Sequence, residues 1–209
     1  MLDVTLWSRI FAAAYEPLLR SSERNGLAGL RAGLLTQARG RTLELGAGTG
    51  LNLAHYPAAV TELVLTEPEA PMATKLEQRV RERGLSARVV RAGAEQLPFA
   101  DASFDTVVAT LVLCTVADLE RSLEEARRVL RPGGQLLFLE HVRHPEGARG
   151  RRQQRLTPIQ RRVACGCHLD RATPAAIAEA GFVLHDERQQ RFPKAPAILQ
   201  PLAIGRATR

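Results

Sequence analysis

The chain has 209 residues, 45% of them hydrophobic and 24% charged, a balance typical of one globular domain with a full core. No apolar run approaches the roughly 18 residues that cross a bilayer, and the N-terminus does not follow the pattern of a signal peptide. Three cysteines, an odd number, argue against a disulfide framework and predict a cytoplasmic location. The net charge of +7 decides little, because the basic residues are almost all arginine, as coding bias would produce.

Residues 1–40 read as helices. Apolar side chains such as Leu6, Ile10 and Leu18 recur there at helical spacing, and a second apolar stripe marks a helix over residues 27–38. An amphipathic helix of this kind can touch a membrane surface. We nevertheless expect the segment to cover a ligand cleft.

From residue 41 onward, short apolar runs alternate with helical segments. The predicted strands are Arg41–Leu45, Leu63–Thr66, Ala87–Arg91, Thr106–Thr110, Gln135–Glu140, Phe182–Asp186 and Ile198–Gly205. The predicted helices are residues 50–56, 69–83, 118–130 and 173–180. Apolar strands that alternate with helices indicate a parallel sheet covered on both faces. The sequence therefore predicts an α/β fold with a doubly wound, mostly parallel sheet of seven strands.

The most informative segment runs from Glu44 to Gly50, directly after the first predicted strand. Its glycines, Gly46, Gly48 and Gly50, let the backbone turn tightly and approach a ligand without obstruction by a Cβ atom. The helix predicted behind them would offer unpaired N–H groups. Because residue 51 is Leu51, the spacing differs from the dinucleotide fingerprint, and the loop favours a ligand other than NAD.

Further candidate residues follow the carboxyl ends of the next strands, where open parallel sheets bind ligands. Glu67 and Pro68 follow the second strand, about 20 residues after the glycines, where a carboxylate can accept hydrogen bonds from two ribose hydroxyls. Ala94 and Glu95 follow the third strand, and Leu111 ends the fourth. These positions predict one site that spans several strands.

The motifs appear in the order and at the spacing of class I S-adenosylmethionine (SAM) methyltransferases, which the chain resembles over residues 41–141. The resemblance implies a Rossmann-like fold with an N-terminal helical cover, and SAM as cofactor. The residues that it assigns to the cofactor are Tyr15, Glu44, Gly46, Ala47, Gly48, Gly50, Asn52, Glu67, Pro68, Ala94, Glu95 and Leu111. In this assignment Ala94 and Glu95 border the adenine, and Tyr15 is an aromatic of the cover.

Other segments look like those of methyltransferase-like proteins whose animal members are thiol S-methyltransferases. These segments are Gly48–Asn52, Tyr56–Pro57, Leu111–Val116, Arg128–Gly134, Glu140–Val142 and Gly166–Arg171. The resemblance implies methyl transfer to a small-molecule acceptor, with a thiol as the first choice. The chain departs from the animal members in lacking a long N-terminal hydrophobic anchor, so peripheral membrane contact is not favoured.

A thiol acceptor needs help to ionise, because the pKa of a free thiol lies near 8.5. His141, just after the fifth strand, is the candidate general base, although a histidine at a strand end also commonly makes a structural hydrogen bond. Arg143 is the candidate cation beside a thiolate. Cys114 is a candidate for the apolar wall of the substrate site.

The segment of residues 142–172 is a polar, arginine-rich insertion, which we expect to be a solvated lid. It lacks interleaved aromatic residues for base stacking, so no nucleic-acid partner is expected. Within it, Cys165, Cys167 and His168 place soft ligands close together, but the second ligand pair that zinc sites usually show is missing. We therefore predict no metal.

The sequence thus predicts a single domain with a helical cap (1–40), a SAM-binding core (41–141), the insertion (142–172) and a C-terminal helix and strands (173–209). Three alternatives stay open. In the first, the acceptor is an amine or a hydroxyl, including a phospholipid headgroup. In the second, the protein binds SAM without catalysis and contacts nucleic acid. In the third, the pocket binds a nucleotide in place of SAM. The sequence does not indicate the oligomeric state.

Overall fold

The computed structural model describes residues 4–145, 147–164 and 166–209, so Cys165 of the predicted cysteine motif lies outside the described residues. The helices are α1 (Val4–Ser22), α2 (Ala28–Leu35), α3 (Ala70–Glu82), α4 (Leu119–Val129), α5 (Ala148–Val163) and α6 (Thr173–Glu179). A kink over Glu23–Leu27, where Asn25 and Gly26 leave helical backbone geometry, joins α1 to α2, and a 3₁₀ turn lies at Ala197–Leu199. The strands are β1 (Gly40–Leu45), β2 (Val60–Thr66), β3 (Ala87–Val90), β4 (Phe104–Thr110), β5 (Leu130–His141), β6 (Val183–Arg191) and β7 (Pro201–Thr208).

The strands form one seven-stranded sheet in the order β3-β2-β1-β4-β5-β7-β6. Neighbours from β3 to β5 pair in parallel, whereas β7 is antiparallel to both β5 and β6. The predicted fold class is confirmed. The strand order reverses between β1 and β4, and such a reversal opens a crevice at the carboxyl ends of the strands.

The central strands are apolar on both faces because both faces are covered. Val107 and Phe138 point into a cluster that α4 and α6 close, whereas Val108 and Leu137 point into a cluster under α2. All four side chains are fully buried. Each such side chain stabilises the fold by about 1.5–3 kcal/mol relative to an exposed one, so the sheet is a firm base for the loops at its edge.

Helix α1 packs against α3 through a row of polar side chains. The Lys75 ammonium donates to the Ala12 carbonyl at 2.6 Å, and the Arg79 guanidinium donates to the Glu16 carboxylate at 2.8 and 2.9 Å. These contacts hold the N-terminal segment over the carboxyl ends of the strands, as the predicted cover requires.

The apolar stripe predicted for α1 is only partly buried. Leu6, Ile10 and Leu18 are 47%, 44% and 70% exposed, because the helix meets its neighbour through the polar row. Across the described ranges of the chain, none of the helices combines the length and the apolar character that crossing a membrane requires.

The helix predicted over residues 50–56 does not form. Successive turns replace it, in which the Leu53 N–H donates to the Gly50 carbonyl at 3.3 Å and the His55 N–H to the Asn52 carbonyl at 2.9 Å. Gly50 has a φ of +84°, which interrupts a right-handed helix at its first residue. The groups that face a ligand here therefore belong to the loop itself.

The arginine-rich insertion contains a regular helix, α5, which the sequence analysis did not predict. The helix contacts the rest of the protein through a row that includes the buried residues Gln153 and Thr157. The Gln153 side chain accepts a hydrogen bond from the His144 N–H at 2.6 Å and donates to the Ile198 carbonyl at 3.0 Å. The anchoring residues are polar, so no apolar periodicity revealed the helix.

Candidate functional site

A cavity of about 530 Å³ lies where the strand order reverses. Its volume is in the range of pockets that bind small-molecule cofactors. Eight of the twelve predicted cofactor residues line it, namely Tyr15, Gly46, Gly48, Glu67, Pro68, Ala94, Glu95 and Leu111. The structure thus brings together residues from the cover and from the loops after β1, β2, β3 and β4.

The glycine loop after β1 requires its glycines for two reasons. Gly46 and Gly48 have φ values of +54° and +57°, a region that other residues rarely adopt. A Cβ atom on Gly46 would also lie 2.4 Å from Cγ2 of Val112, whereas one on Gly48 would lie 3.9 Å from the Tyr15 ring. The backbone of the loop is therefore an open part of the cavity wall.

Glu67 at the end of β2 is oriented by the backbone around it. Its carboxylate is 5% exposed and accepts hydrogen bonds from the Gly48 N–H at 2.8 Å and the Glu69 N–H at 2.9 Å, one on each oxygen. Burial raises the pKa of Glu67, and the two N–H groups oppose that rise. Each oxygen keeps acceptor capacity, so the residue fits the ribose hydroxyls that the sequence predicts for it.

The cover closes the cavity from the side of α1. Ser8, Phe11 and Tyr15 line the cavity, and the Ser8 hydroxyl donates to the Glu69 carboxylate at 2.7 Å. The rings of Phe11 and Tyr15 lie 5.7 Å apart. Burial is the main cause that raises the pKa of Tyr15 to about 12, so its hydroxyl stays protonated. The cover thus presents two aromatic rings and a neutral phenol.

The loop after β3 joins the loop after β4 through Glu95. Its carboxylate accepts a hydrogen bond from the Ala117 N–H at 2.8 Å, and both residues line the cavity. Ala94 beside it is buried. The cavity wall at Ala94 and Glu95 thus combines a small apolar surface with a carboxylate. The resemblance to SAM methyltransferases implies that these two residues border the adenine.

Leu111 begins the loop after β4 in a strained conformation. Its φ is +56°, which costs on the order of 1–3 kcal/mol for a residue with a side chain of this kind. The Leu111 N–H donates to the Leu139 carbonyl at 2.8 Å, which holds the residue in place. Such strain is concentrated at functional sites, and Leu111 lines the cavity here.

The side chain of Glu140 in β5 holds the loop after β4 through hydrogen bonds, a role that was not predicted from the sequence. One of its oxygens accepts hydrogen bonds from the N–H groups of Val112 and Leu113, both at 3.0 Å, and the other accepts from Cys114 at 3.1 Å. The carboxyl group is fully buried, and burial raises its pKa to about 7. An acidic residue within an apolar strand was the sequence signal.

Arg171 holds the carbonyl groups of that loop. Its guanidinium donates to the Val116 carbonyl at 2.6 Å and to the Leu113 carbonyl. Arg171 lies in the segment that was expected to be a solvated lid, and that expectation is wrong for this residue, because the folded chain places it against the loop. Glu140 and Arg171 together define the shape of this cavity wall.

Three predicted cofactor residues lie behind the glycine loop. Glu44, Ala47 and Asn52 line a separate polar cavity of about 10 Å³. The Glu44 carboxylate accepts hydrogen bonds from the Asn52 amide at 2.9 Å and the Tyr56 hydroxyl at 2.6 Å. Burial raises the pKa of Glu44 to about 7.

Gly50 lines neither cavity. A Cβ atom on it would lie 2.7 Å from Leu53 and 2.9 Å from Leu76. The absence of a side chain therefore serves the packing of the loop on α3, and the role of Gly50 as a cofactor contact stays a prediction.

The residues predicted for chemistry lie outside the cavity lining. His141 is 3% exposed, and within the described part of the chain neither of its ring nitrogens has a hydrogen-bond partner. Arg143 is exposed, because the chain turns outward after β5. The cations that line the cavity are Arg161 and Arg162 of α5. Both belong to the helix that the sequence analysis did not predict, whereas Arg143 does not line the cavity.

Cys114 is buried behind the cavity wall and lies next to Cys167. The His168 N–H donates to the Cys114 carbonyl at 2.7 Å, which brings the two segments together. Hydrogen bonding from Cys114 is the main cause that lowers the pKa of Cys167 to about 5, and His141 acts in the same direction. Both cysteines are free thiols. Among the described residues, no group of three or more His, Cys, Asp or Glu side chains is arranged to hold a metal ion.

Comparison with known proteins identifies the family and the fold. Residues 43–138 match the model of a methyltransferase domain. The chain is 37% identical to human thiol S-methyltransferase TMT1B over 180 residues, which cover 84% of the chain and 74% of that protein. The alignment to the rat TMT1B protein has 39% identity and covers 67% of the chain but only 59% of that protein.

A solved structure has the same architecture along nearly the whole chain. It is described as a SAM-dependent methyltransferase, a possible histamine N-methyltransferase, from Thermotoga maritima. Its TM-score is 0.71 at 25% identity, covering 97% of this chain and 98% of that one. On the strength of the alignment with human TMT1B, the chain belongs to the methyltransferase family, and SAM is its cofactor.

Proposed function

We propose that the methyl acceptor is a small-molecule thiol. The observation that carries the proposal is the alignment with human thiol S-methyltransferase TMT1B, which reaches beyond the cofactor core into the insertion and the C-terminal part. The cavity supports it, because its wall near the glycine loop includes the apolar side chains of Phe11, Val112 and Val116. An apolar wall suits the carbon skeleton of a thiol compound.

The chemistry requires positioning more than activation by the protein. SAM supplies a methyl group on a sulfonium, so an acceptor sulfur held in line displaces a neutral thioether. Thr115 and the rings of Phe11 and Tyr15 line the cavity in which the acceptor would be held. The acceptor must attack as a thiolate, and a nearby cation lowers the pKa of a thiol.

We assign that cation role to Arg161 and Arg162, which line the cavity. Removing one positive charge is expected to raise the pKa of the bound thiol by about one unit, so the thiolate fraction at neutral pH falls about tenfold. The loss should disappear at a pH well above the thiol pKa, where the acceptor ionises unaided.

The test is labelled methyl transfer from SAM to a panel of thiols, amines and hydroxyl compounds, and to phospholipid vesicles. Methylation of thiols, with a pH-dependent loss of kcat/KM in Arg161→Met and Arg162→Met, supports the proposal. Arg152→Met is the matched control, because this arginine is exposed on α5 and does not line the cavity. Transfer to amines or to vesicles alone contradicts the thiol acceptor.

The catalytic role of His141 stays a prediction. His141→Ala is expected to lower turnover and to leave the affinity for SAM nearly unchanged. His185→Ala is the control, because the His185 ring contacts Thr208 at 3.0 Å in the C-terminal strands. An unchanged rate in His141→Ala removes the residue from the catalytic set.

We also propose a cytoplasmic location and no nucleic-acid partner. The free thiols of Cys114 and Cys167 are consistent with a reducing compartment. The described arginines of α5 are exposed, and Arg161 and Arg162 among them also line the cavity. Cell fractionation and a binding assay with duplex and single-stranded nucleic acid at physiological salt test both statements. Recovery in the membrane fraction, or salt-dependent nucleic-acid binding, contradicts them.

A further inference from the structure

Cys114, Cys167 and His141 form a cluster behind the wall of the large cavity, which none of the three lines. Cys114 belongs to the loop after β4, Cys167 follows α5, and His141 ends β5. Cys114 and His141 are 2% and 3% exposed, whereas Cys167 is partly exposed. Two thiols beside an imidazole have a reactivity of their own, because a thiolate is a nucleophile and its neighbours decide whether it forms.

The backbone holds the two cysteines side by side. The His168 N–H, one peptide unit beyond Cys167, donates to the Cys114 carbonyl at 2.7 Å. Gly166, on the other side of Cys167, approaches the same loop so closely that a Cβ atom on it would lie 2.6 Å from the Thr115 carbonyl oxygen. A disulfide between two segments requires a close backbone approach of this kind.

The environment makes the two thiols unequal. Hydrogen bonding from the Cys114 thiol is the main cause that lowers the pKa of Cys167 to about 5, and His141 and the Gln160 side chain act in the same direction. The same hydrogen bond, followed by burial and by the nearby Glu140 carboxyl group, raises the pKa of Cys114 well above its usual value. At neutral pH Cys167 is therefore the thiolate of the pair, and Cys114 keeps its proton.

His141 has no competing partner in this cluster. Neither of its ring nitrogens is hydrogen-bonded to another of the described residues, although the side chain is almost fully buried. Burial of a polar ring without partners is costly. The sulfur of Cys167 is the group with which the ring interacts, and this interaction favours the thiolate.

We propose that Cys114 and Cys167 form a reversible redox switch that low-molecular-weight disulfides oxidise. The Cys167 thiolate attacks one sulfur of the small disulfide, which forms a mixed disulfide and releases the other half as a thiolate. Cys114 then gives up its proton and attacks the sulfur of Cys167, which forms the bond between the two cysteines. The second half leaves with that proton as a thiol. The cysteine pair is thus oxidised by two electrons, and the small disulfide is reduced to one thiolate and one thiol.

The exposure of the two residues fits this order of attack. Cys167 is partly exposed, so a small disulfide can reach it, whereas Cys114 is buried and is reached through Cys167. Cysteines that sense oxidation typically combine a low pKa, access to solvent and a neighbouring cysteine that resolves the mixed disulfide. In a reducing compartment such a disulfide is transient, as a switch requires.

Closing the bond changes one wall of the large cavity. The sulfurs of the two free thiols must approach to about 2 Å, and Cys114 directly precedes Thr115, which lines the cavity. Cys114 also gives up its contact with Glu140, the residue that holds three N–H groups of this loop. Oxidation is therefore expected to lower kcat/KM about tenfold, because a misplacement of 1 Å can cost about a hundredfold.

The chemistry of the acceptor gives the switch a role. A thiol acceptor reduces the cysteine pair by the reverse exchange, and the disulfide of that acceptor oxidises it. The enzyme would thus be active while its acceptors are present as thiols and inactive once they are oxidised. This role rests on the proposed thiol acceptor, whereas the disulfide itself does not.

The test places the full-length protein in glutathione buffers of constant total concentration and decreasing ratio of thiol to disulfide, followed by alkylation and digestion with trypsin. The expected product joins the peptides of residues 92–121 and 163–171, which carry Cys114 and Cys167. Cys114→Ala should instead retain one glutathionyl group on the peptide of residues 163–171, and Cys167→Ala should give neither product. Cys165→Ser is the matched control, because it removes the other cysteine of the same peptide, and it should still form the link.

Loss of the link in Cys165→Ser overturns the proposal, as does a wild-type protein whose thiols stay reduced when glutathione disulfide predominates. Methyl transfer in the same buffers checks the consequence for activity. The kcat/KM of the wild type should fall about tenfold as the link forms, and that of Cys167→Ala should not follow the ratio. A parallel fall in both proteins, or none in either, overturns the switch. A protein that forms the link but methylates no thiol contradicts the thiol acceptor alone.

Discussion

Replacing Glu140 by glutamine should change how the stability of the protein depends on pH. The buried carboxyl group has its pKa raised from 4.5 to about 7, because burial disfavours the charged form more than three N–H groups favour it. The folded state then binds the proton more tightly than the unfolded state. The stabilisation is fully present below the unfolded pKa and is lost as the pH rises through about 7.

The size of the effect follows from the two pKa values. At about 1.4 kcal/mol per pH unit, the change from 4.5 to about 7 corresponds to about 3 kcal/mol, most of it between about pH 5 and pH 8. The amide of the variant would not titrate, so the free energy of unfolding of the wild type should fall by this amount relative to Glu140→Gln over that range. The comparison cancels Glu44, whose pKa is also raised but is common to both proteins.

Urea denaturation of both proteins, followed at several pH values, measures the difference. Glu124→Gln is the control, because its side chain is 55% exposed and pairs with the equally exposed Arg121; a surface change of this kind is expected to stay within about 0.5 kcal/mol. A constant difference between wild type and Glu140→Gln across the range would refute the reasoning. It would show that the three N–H groups keep the buried carboxylate charged.

Three further variants test the cavity. Gly46→Ala should abolish SAM binding and lower the melting temperature, because its Cβ would lie 2.4 Å from Val112 at a φ of +54°; normal binding by calorimetry would contradict the close approach. Glu67→Ala should weaken SAM at least about tenfold, whereas Glu69→Ala, which keeps the backbone N–H, should have a smaller effect in the same titration. Arg171→Met should lower the free energy of unfolding by about 2 kcal/mol and reduce kcat, because two loop carbonyls lose a charged donor; an unaffected kcat would mean that the loop keeps its shape without it.

Much of the fold could be predicted from the sequence because its signals are local. The apolar segments predicted as strands form β1, β4 and β5, which are buried on both faces. The order of strands and helices along the chain leaves few possible topologies for a parallel sheet. The glycines were equally readable, since a positive φ at Gly46 and Gly48 excludes most other residues. Family membership followed from the same spacing.

The predictions that failed concern segments whose structure depends on contacts with residues distant in the sequence. The turns after β1 replaced a helix because Gly50 must pack against α3, and α5 formed from a sequence whose anchoring residues are polar. Likewise, Arg143 and Arg162 look alike in the sequence and both are exposed, and only the course of the chain places Arg162 at the rim of the cavity and Arg143 away from it.

The fold class and the glycine loop after β1 could be predicted from the sequence by itself, because each depends on short segments whose backbone or burial pattern admits few alternatives. The order and spacing of the motifs indicated SAM as the cofactor. Only the tertiary structure decided which charged groups are buried. Arg31 meets Thr110 across 79 residues, and Glu140 meets the loop after β4 across 26 to 28, so no local pattern could reveal either contact. Burial in turn sets the charge and hydrogen-bonding capacity of those groups, and with them the chemistry of the site.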